Sequence, residues 1–380
     1  MTVKGENILL FQRIIPEYRK AIFRYLHNSL GIIVCYSDYT KDMKSVSLDF
    51  PSENISKIYY GKSQTAILQN PLPKIFKYKP KIIISEGSTS YGTVWLLVLF
   101  RLFFRYKLII WSHGVKSHQS NAPFQGFSGK LRLFLFNTAD AILLYSKTPL
   151  KVLSGIVNNP TKIFVAENSI DTDAMNRLYQ KLNDKGKYAV KSELGWKHTY
   201  NLIFVGRLLK SKGLQQIVEI FELLPVDFDT ALHIIGDGPE MSFIKEKAIH
   251  NSKIFCYGAC FNDEQIGKYF YAADLLLMPK AVGLTIVHAF SFGCPIVSCE
   301  NVPGDSLSRH GPEFEYLINN VNGIIVENDS ILIASQIVEL LKDTERYDFF
   351  SEQALNIEKK VSMEKMSEGF KNAINYLSNK

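Results

Sequence analysis

Cysteine is scarce, and its placing excludes more than its number does. The 380 residues hold five, none in a Cys-x-x-Cys pair, which argues against a disulfide framework or a zinc site and for reduced thiols. Cys256 and Cys260, and Cys294 and Cys299, read as core or loop residues. Long hydrophobic runs are also missing. The strongest candidate, the eleven residues from Val94 to Phe104, carries one charge at Arg101 and is too short to span a bilayer. Neither half has Gly-x-Gly-x-x-Gly after its first strand, which disfavours a dinucleotide-dependent oxidoreductase. No repeat of 20 to 50 residues and no low-complexity segment is present. No secretory leader is expected, because Met1 to Glu6 is polar and Ile8 to Phe11 is only strand-length.

What is present is a chain long enough for two domains, 46% hydrophobic, with its charge unevenly placed. Residues 1–180 hold 23 Lys and Arg against 11 Asp and Glu; residues 181–380 hold 21 against 26. A basic N-terminal half suits an anionic lipid surface or a pyrophosphate-bearing acceptor. Nucleic acid is not expected as a partner, since none of its recognition signatures occurs. The segment from Trp95 to Lys107, with Arg101, Arg105 and Lys107 among aromatics, suits a headgroup region, a buried helix, or both on different faces.

The most informative stretch is Phe204-Val205-Gly206-Arg207-Leu208-Leu209-Lys210-Ser211-Lys212-Gly213. Asn201 to Val205 predicts a buried strand. Leu214, Ile217, Val218, Phe221 and Leu224 predict one face of a helix starting just after Lys212. A guanidinium and an ammonium beside free helix amides can clamp phosphoryl groups.

A second stretch follows the predicted strand Ala273–Met278: Lys280, Ala281 and Val282, a turn at Gly283 and Leu284, and a short helix from about Thr285 to Phe292, which includes His288. Gly293 ends that helix and Pro295 opens another strand. Ile234-Ile235-Gly236-Asp237-Gly238-Pro239-Glu240 and Phe255-Cys256-Tyr257-Gly258 lie between the two stretches.

These four blocks, in this order, resemble the C-terminal half of family 4 glycosyltransferases of the bacterial surface-polysaccharide type, retaining enzymes of GT-B fold. The resemblance implies an α/β chain of two Rossmann-like domains facing across a cleft. It assigns the donor diphosphate to Gly206, Arg207 and Lys212, the base side to Tyr257, and the donor turn to Gly283, Leu284 and Thr285. One departure stands out: the family places glutamates eight positions apart on donor sugar and ribose, whereas this chain has Lys280 and His288. The readings are an altered donor site or an inactive one.

The N-terminal half alternates predicted strands with helices: Ile8–Phe11, Ile32–Tyr36, Lys81–Ser85, Leu108–Trp111, Ala141–Tyr145 and Lys162–Ala166, with a helix at Lys20–Leu30. The loop Gln12 to Arg19 resembles a Pro-x-Tyr-Arg loop of the same family. It nominates Tyr18 and Arg19, with Glu86 after another strand, as acceptor contacts. His113, in Trp111-Ser112-His113-Gly114, is placed by the resemblance beside the transferred sugar as a catalytic group. The expected domains are 1–180 for the acceptor, 181–362 for the nucleotide-sugar, and 363–380 as a terminal helix returning to the first. The polar stretch Thr172 to Tyr200 is expected to cross between them.

The resulting expectation is a glycosyltransferase acting on a nucleotide diphospho-sugar donor and a lipid-linked saccharide, peripheral on the inner face of the cell membrane. It calls for no metal and no cofactor, because Arg207 and Lys212 take the leaving group's charge. A sugar-nucleotide epimerase and a non-catalytic nucleotide-sugar-binding subunit remain as alternatives.

Overall fold

A computed structural model describes residues 7–38, 46–60, 66–115, 124–301 and 309–379. The chain divides into two compact units, Met1–Ile170 with Met363–Lys380, and Asp171–Ser362.

In the first unit, β1 (Ile8–Phe11), β2 (Ile33–Tyr36) and β3 (Ser52–Asn54) form a parallel sheet with later strands, while β4 (Lys57–Tyr60) and β5 (Ala66–Gln69) pair antiparallel beside it. The later strands are β6 (Ile82–Glu86), β7 (Lys107–Ser112), β8 (Ala141–Leu144) and β9 (Ile163–Val165); the order across the sheet is β3-β2-β1-β6-β7-β8-β9. Strands such as Ile8-Leu9-Leu10-Phe11 are apolar at every position because both faces are covered. Ile8 and Leu10 enter one core with Trp111, whereas Leu9 and Phe11 enter the opposite core with Ile110.

The terminal helix Met363–Ser378 completes the first of those cores through Met366, Phe370, Ala373, Ile374 and Leu377. Gly369 permits its close approach to the sheet, since a Cβ there would stand 2.2 Å from the Val165 carbonyl oxygen. The helix Gly92–Phe104 turns Thr93, Val94 and Leu97 inward and leaves Leu102 and Phe103 each 73% exposed, so its two faces have different environments. Arg101 is spent internally, on Asp140 at 2.8 Å and on the Thr138 carbonyl. No helix among the described residues is long and apolar enough to cross a membrane.

The second unit carries a six-stranded parallel sheet. Its members are β10 (Tyr200–Val205), β11 (Thr230–Ile235), β12 (Ile254–Gly258), β13 (Leu275–Leu277), β14 (Ile296–Cys299) and β15 (Gly323–Val326), in the order β12-β11-β10-β13-β14-β15. The division between units falls at Asp171, ahead of the expected residue 180. Asp171 caps the helix Thr172–Lys185 by accepting from the Ala174 amide at 2.9 Å, and Met175 and Leu182 bury that helix in the second unit. The stretch expected as a crossing is therefore two helices, Thr172–Lys185 and Lys187–Glu193. Its few apolar residues carry the packing.

Candidate functional site

In the second unit the loop after β10 is built by backbone contact. Gly206 donates to the Ile235 carbonyl at 3.0 Å, Leu208 to that of Asp237 at 2.9 Å, and Glu240 to that of Leu208 at 3.0 Å. The turn Gly236-Asp237-Gly238 lies so close that a Cβ at Gly236 would stand 1.8 Å from the Gly206 carbonyl oxygen. That contact excludes a side chain at Gly236, and the Leu208 carbonyl oxygen, 2.6 Å from the corresponding place on Gly238, excludes one there. A 3-10 turn, Lys210–Lys212, then leads through Gly213 at φ 69° into the helix Leu214–Glu222.

The two cations of this loop are held differently. Arg207 is exposed and has no ion pair among the described residues. Lys212 is partly buried and donates to the Ala281 carbonyl, joining the loop to the turn after β13. Burial lowers the Lys212 pKa, and the nearby Glu313 carboxylate opposes the shift. Lys280 comes to the same place, its stem against Gly213, and Thr285 donates to the Val205 carbonyl at 3.3 Å. Arg207, Lys212 and Lys280 are thus gathered around Gly206 to Gly213.

Ala281 takes a left-handed φ of 50° and is followed by a clasp that the sequence did not reveal. The Val282 amide donates to His310 Nδ1 at 3.1 Å, His310 Nε2 donates to the Cys299 carbonyl at 2.8 Å, and the Gly311 amide donates to the Val282 carbonyl at 2.6 Å. His310 stacks on Phe314 with centroids 3.9 Å apart, and burial lowers its pKa to about 4. Glu313, 4% exposed, lies against Gly311 and Gly283. Neither residue shares a motif with the turn, so only the tertiary fold connects them.

Two expected donor contacts have other occupations. His288 is partly buried on the short helix Thr285–Ser291, stacked on Phe270 with centroids 6.3 Å apart, and burial lowers its pKa. Leu284 caps the start of that helix and Gly283 precedes it. Tyr257 has its hydroxyl in a partly buried relay: it accepts from Trp196 Nε1 at 2.9 Å and donates to His233 Nδ1 at 2.9 Å. His233 Nε2 passes the relay to Asn201 Oδ1 at 3.0 Å, and Asn201 leads to Asp274, which Lys187 and Lys191 neutralise at 2.8 and 3.1 Å. The hydroxyl therefore supports the sheet, while the residue as a whole remains 36% exposed.

In the first unit the expected residues gather at the carboxyl ends of neighbouring parallel strands. Glu86 ends β6 and is gripped at both carboxylate oxygens by Arg13, which follows β1. Burial pulls the Arg13 pKa down, but Glu86 more than compensates and raises it. Arg19 precedes the helix Lys20–Leu30, with its guanidinium 4.9 Å from the Trp111 ring centre, 5.1 Å from Tyr145 and 5.7 Å from Tyr18. His113 stacks on Tyr145 with centroids 4.5 Å apart. Desolvation, then the Arg19 charge, lower its pKa to about 4; Arg13 and Arg132 add to the effect and Glu86 opposes it. His113 is therefore neutral near pH 7, free of a proton on one ring nitrogen. The grip of Arg13 on Glu86 was not legible in the sequence, although both residues stand next to motifs that were.

Two parallel Rossmann-like sheets carrying these loops are the architecture of the GT-B glycosyltransferases. The Anabaena protein Alr3699/HepE, crystallised with UDP, superposes with a TM-score of 0.70 at 15% identity, covering 97% of this chain and 99% of that one. Residues 199–343 match the family described as glycosyl transferases group 1. That match lies within the second unit. An uncharacterised glycosyltransferase, MJ1069 of Methanocaldococcus jannaschii, is 22% identical over 92% of this chain and 84% of its own length. An uncharacterised 41.2 kDa protein of the cps region of Klebsiella pneumoniae is 29% identical over 53% of this chain, a match that spans about half of that relative, 49%.

Proposed function

We propose that this chain transfers a sugar, a hexosyl or related group, from a nucleotide diphospho-sugar to a hydroxyl of a lipid-linked saccharide, with retention of configuration. The setting is synthesis of a surface polysaccharide such as O-antigen, capsule or exopolysaccharide, on the inner face of the cell membrane. The observation that carries the reading is the loop Gly206–Gly213, which presents exposed Arg207 beside Lys212 anchored on Ala281. Fixed cations aimed at a departing diphosphate stabilise its charge with little reorganisation. No metal or organic cofactor is part of this reading. The cps-region relative and the UDP-bound neighbour support the pathway and the donor class.

In this reading the second unit holds the donor, and the first receives the acceptor at Tyr18, Arg19 and Glu86, with His113 beside the transferred sugar. Neutral His113 supplies a hydrogen bond to a sugar hydroxyl without placing another positive charge among the arginines. The route implied by the family resemblance lets the departing phosphate take the acceptor's proton, so no strong protein base is called for. Lys280 donates hydrogen bonds where the family uses one carboxylate, and His288 replaces the other from its stack on Phe270, which makes this an altered donor site.

Thermal denaturation with UDP-, GDP-, ADP- and CMP-sugars tests the donor half, since a ligand at 100 times its Kd stabilises by about 2.7 kcal/mol. One nucleotide class should raise the melting temperature and the others should not. Incubating that donor with membrane lipid extract should then yield a glycosylated lipid with the donor's anomeric configuration. Donor binding without transfer to any extract favours a non-catalytic subunit, and isomerised donor in the absence of acceptor favours an epimerase.

A further inference from the structure

Glu313 is a carboxylate at 4% exposure in the second unit, on the 3-10 segment Pro312–Tyr316. A charged carboxylate withdrawn from water costs several kcal/mol unless a cation or hydrogen bonds compensate it. Its Oε2 atom lies 2.5 Å from the place a Cβ on Gly311 would occupy and 4.0 Å from the corresponding place on Gly283. It therefore lies against the turn Ala281–Gly283. Lys212 holds the other end of the same turn through the Ala281 carbonyl, and the Gly311 amide binds the Val282 carbonyl between them. The turn is gripped from the phosphate loop on one side and from the segment around residue 311 on the other.

Position 280, where the resemblance implies a glutamate, carries a lysine whose stem lies on Gly213. We infer that Glu313 is a positioning residue of the proposed donor site, a buried counter-charge to Lys212 that holds the turn Ala281–Gly283 from a later segment of the chain. The inference rests on the donor-site reading above. It assigns to Glu313 the negative charge that position 280 no longer supplies, and it places the selection of a nucleoside diphosphate partly in a residue outside every motif.

The consequence is a pH dependence that a packing role would not create. Burial lowers the Lys212 pKa and Glu313 opposes this, so removing the Glu313 charge deprives Lys212 of its compensation. UDP and GDP are titrated into the whole chain and into Glu313→Gln and Glu313→Asp between pH 6.5 and 9.5, with thermal melts alongside. The expected result is that Glu313→Gln loses affinity about tenfold as pH rises, with its alkaline limb about one unit lower than the parent's, and that Glu313→Asp recovers most of it. A loss in Glu313→Gln that is uniform across pH assigns the residue to packing and overturns the inference. If Glu313→Gln does not fold, the inference stands or falls on Glu313→Asp, whose alkaline limb must still lie below the parent's. A parent chain that binds neither nucleotide overturns the donor reading itself, and this inference with it.

Discussion

Lys280 lies with its side-chain stem on Gly213, where an added Cβ would stand 3.2 Å from both Cγ and Cδ of the lysine. Gly213 also holds φ 69°, a left-handed conformation that costs an L residue about 1–2 kcal/mol. Gly213→Ala should therefore lower stability by about that amount and also displace Lys280 from the loop Gly206–Gly213. Chemical denaturation reads the first effect and nucleotide titration the second. Unchanged nucleotide affinity would remove Lys280 from the proposed site.

Arg207 and Lys212 should separate in their effects on the fold. Arg207 is exposed and without an ion pair among the described residues, so Arg207→Ala should leave the melting temperature almost unchanged and reduce transfer by roughly 10²-fold or more. Lys212→Ala should reduce transfer to a similar degree but also loosen the turn, because it removes the bond to the Ala281 carbonyl. Normal transfer by both variants would sink the diphosphate assignment.

The altered turn gives a sharper trial. Lys280→Ala should impair donor use strongly, whereas His288→Ala should chiefly weaken nucleotide binding and should also disturb the contact with Phe270. Restoring the family's carboxylates, Lys280→Glu with His288→Glu, should give no gain in transfer, because a new carboxylate would stand near Glu313 and the leaving diphosphate. A double-glutamate variant more active than the parent would instead identify a decayed site.

The loop Gly206–Gly213 was legible because its chemistry and its geometry are local: a strand, two glycines and two cations within ten residues or so dictate both. The parallel sheets were legible for a related reason, since strands buried on both faces are apolar at every position. The ribbon β4–β5 was not, because Lys57-Ile58-Tyr59-Tyr60 alternates partly exposed and exposed residues without a core face. The helices Thr172–Lys185 and Lys187–Glu193 read as a polar crossing because few side chains, such as Met175, Leu182 and Val190, are buried. His310 and Glu313 act on a turn some 28 residues earlier in the chain, and no local pattern records such a contact.

Acid sensitivity should begin above the carboxylate range. His233 has its pKa lowered to about 3 and His310 to about 4, in each case mainly by burial. An unfolded histidine titrates near 6.5, so as pH falls from about 6.5 toward 4 the unfolded chain binds protons that the folded chain refuses. Stability is therefore lost with falling pH across that window. Glu53 and Asp229, lowered to about 2 by their partners, contribute their losses only below about 4.5. Urea denaturation at pH 7.5, 6.5, 5.5 and 5.0 should show stability falling by at least about 1 kcal/mol, and His233→Gln should flatten the slope. A flat profile down to pH 5 would contradict the relay through Tyr257, His233 and Asn201.

An exposed apolar surface of the first unit makes the last prediction. Phe76, Leu102, Phe103, Phe127 and Phe134 are each more than half exposed, and Phe76 meets Phe104 edge-on with centroids 5.2 Å apart. Aromatic and aliphatic side chains beside Lys77 and Arg105 suit the headgroup boundary of an anionic bilayer, where apolar burial and charge attraction add. Arg101 is not part of that face, being paired with Asp140, so changing it would test folding instead. Leu102→Ser with Phe103→Ser should weaken binding to phosphatidylglycerol vesicles by about tenfold or more, since each side chain is worth about 1.5–3 kcal/mol when buried. Arg105→Glu should weaken it further at low salt and little at high salt, where the charge term is screened. Co-sedimentation with neutral and anionic vesicles separates the two terms. Equal binding to both lipids would remove the electrostatic part, and unchanged binding by the double serine variant would move the contact to another face.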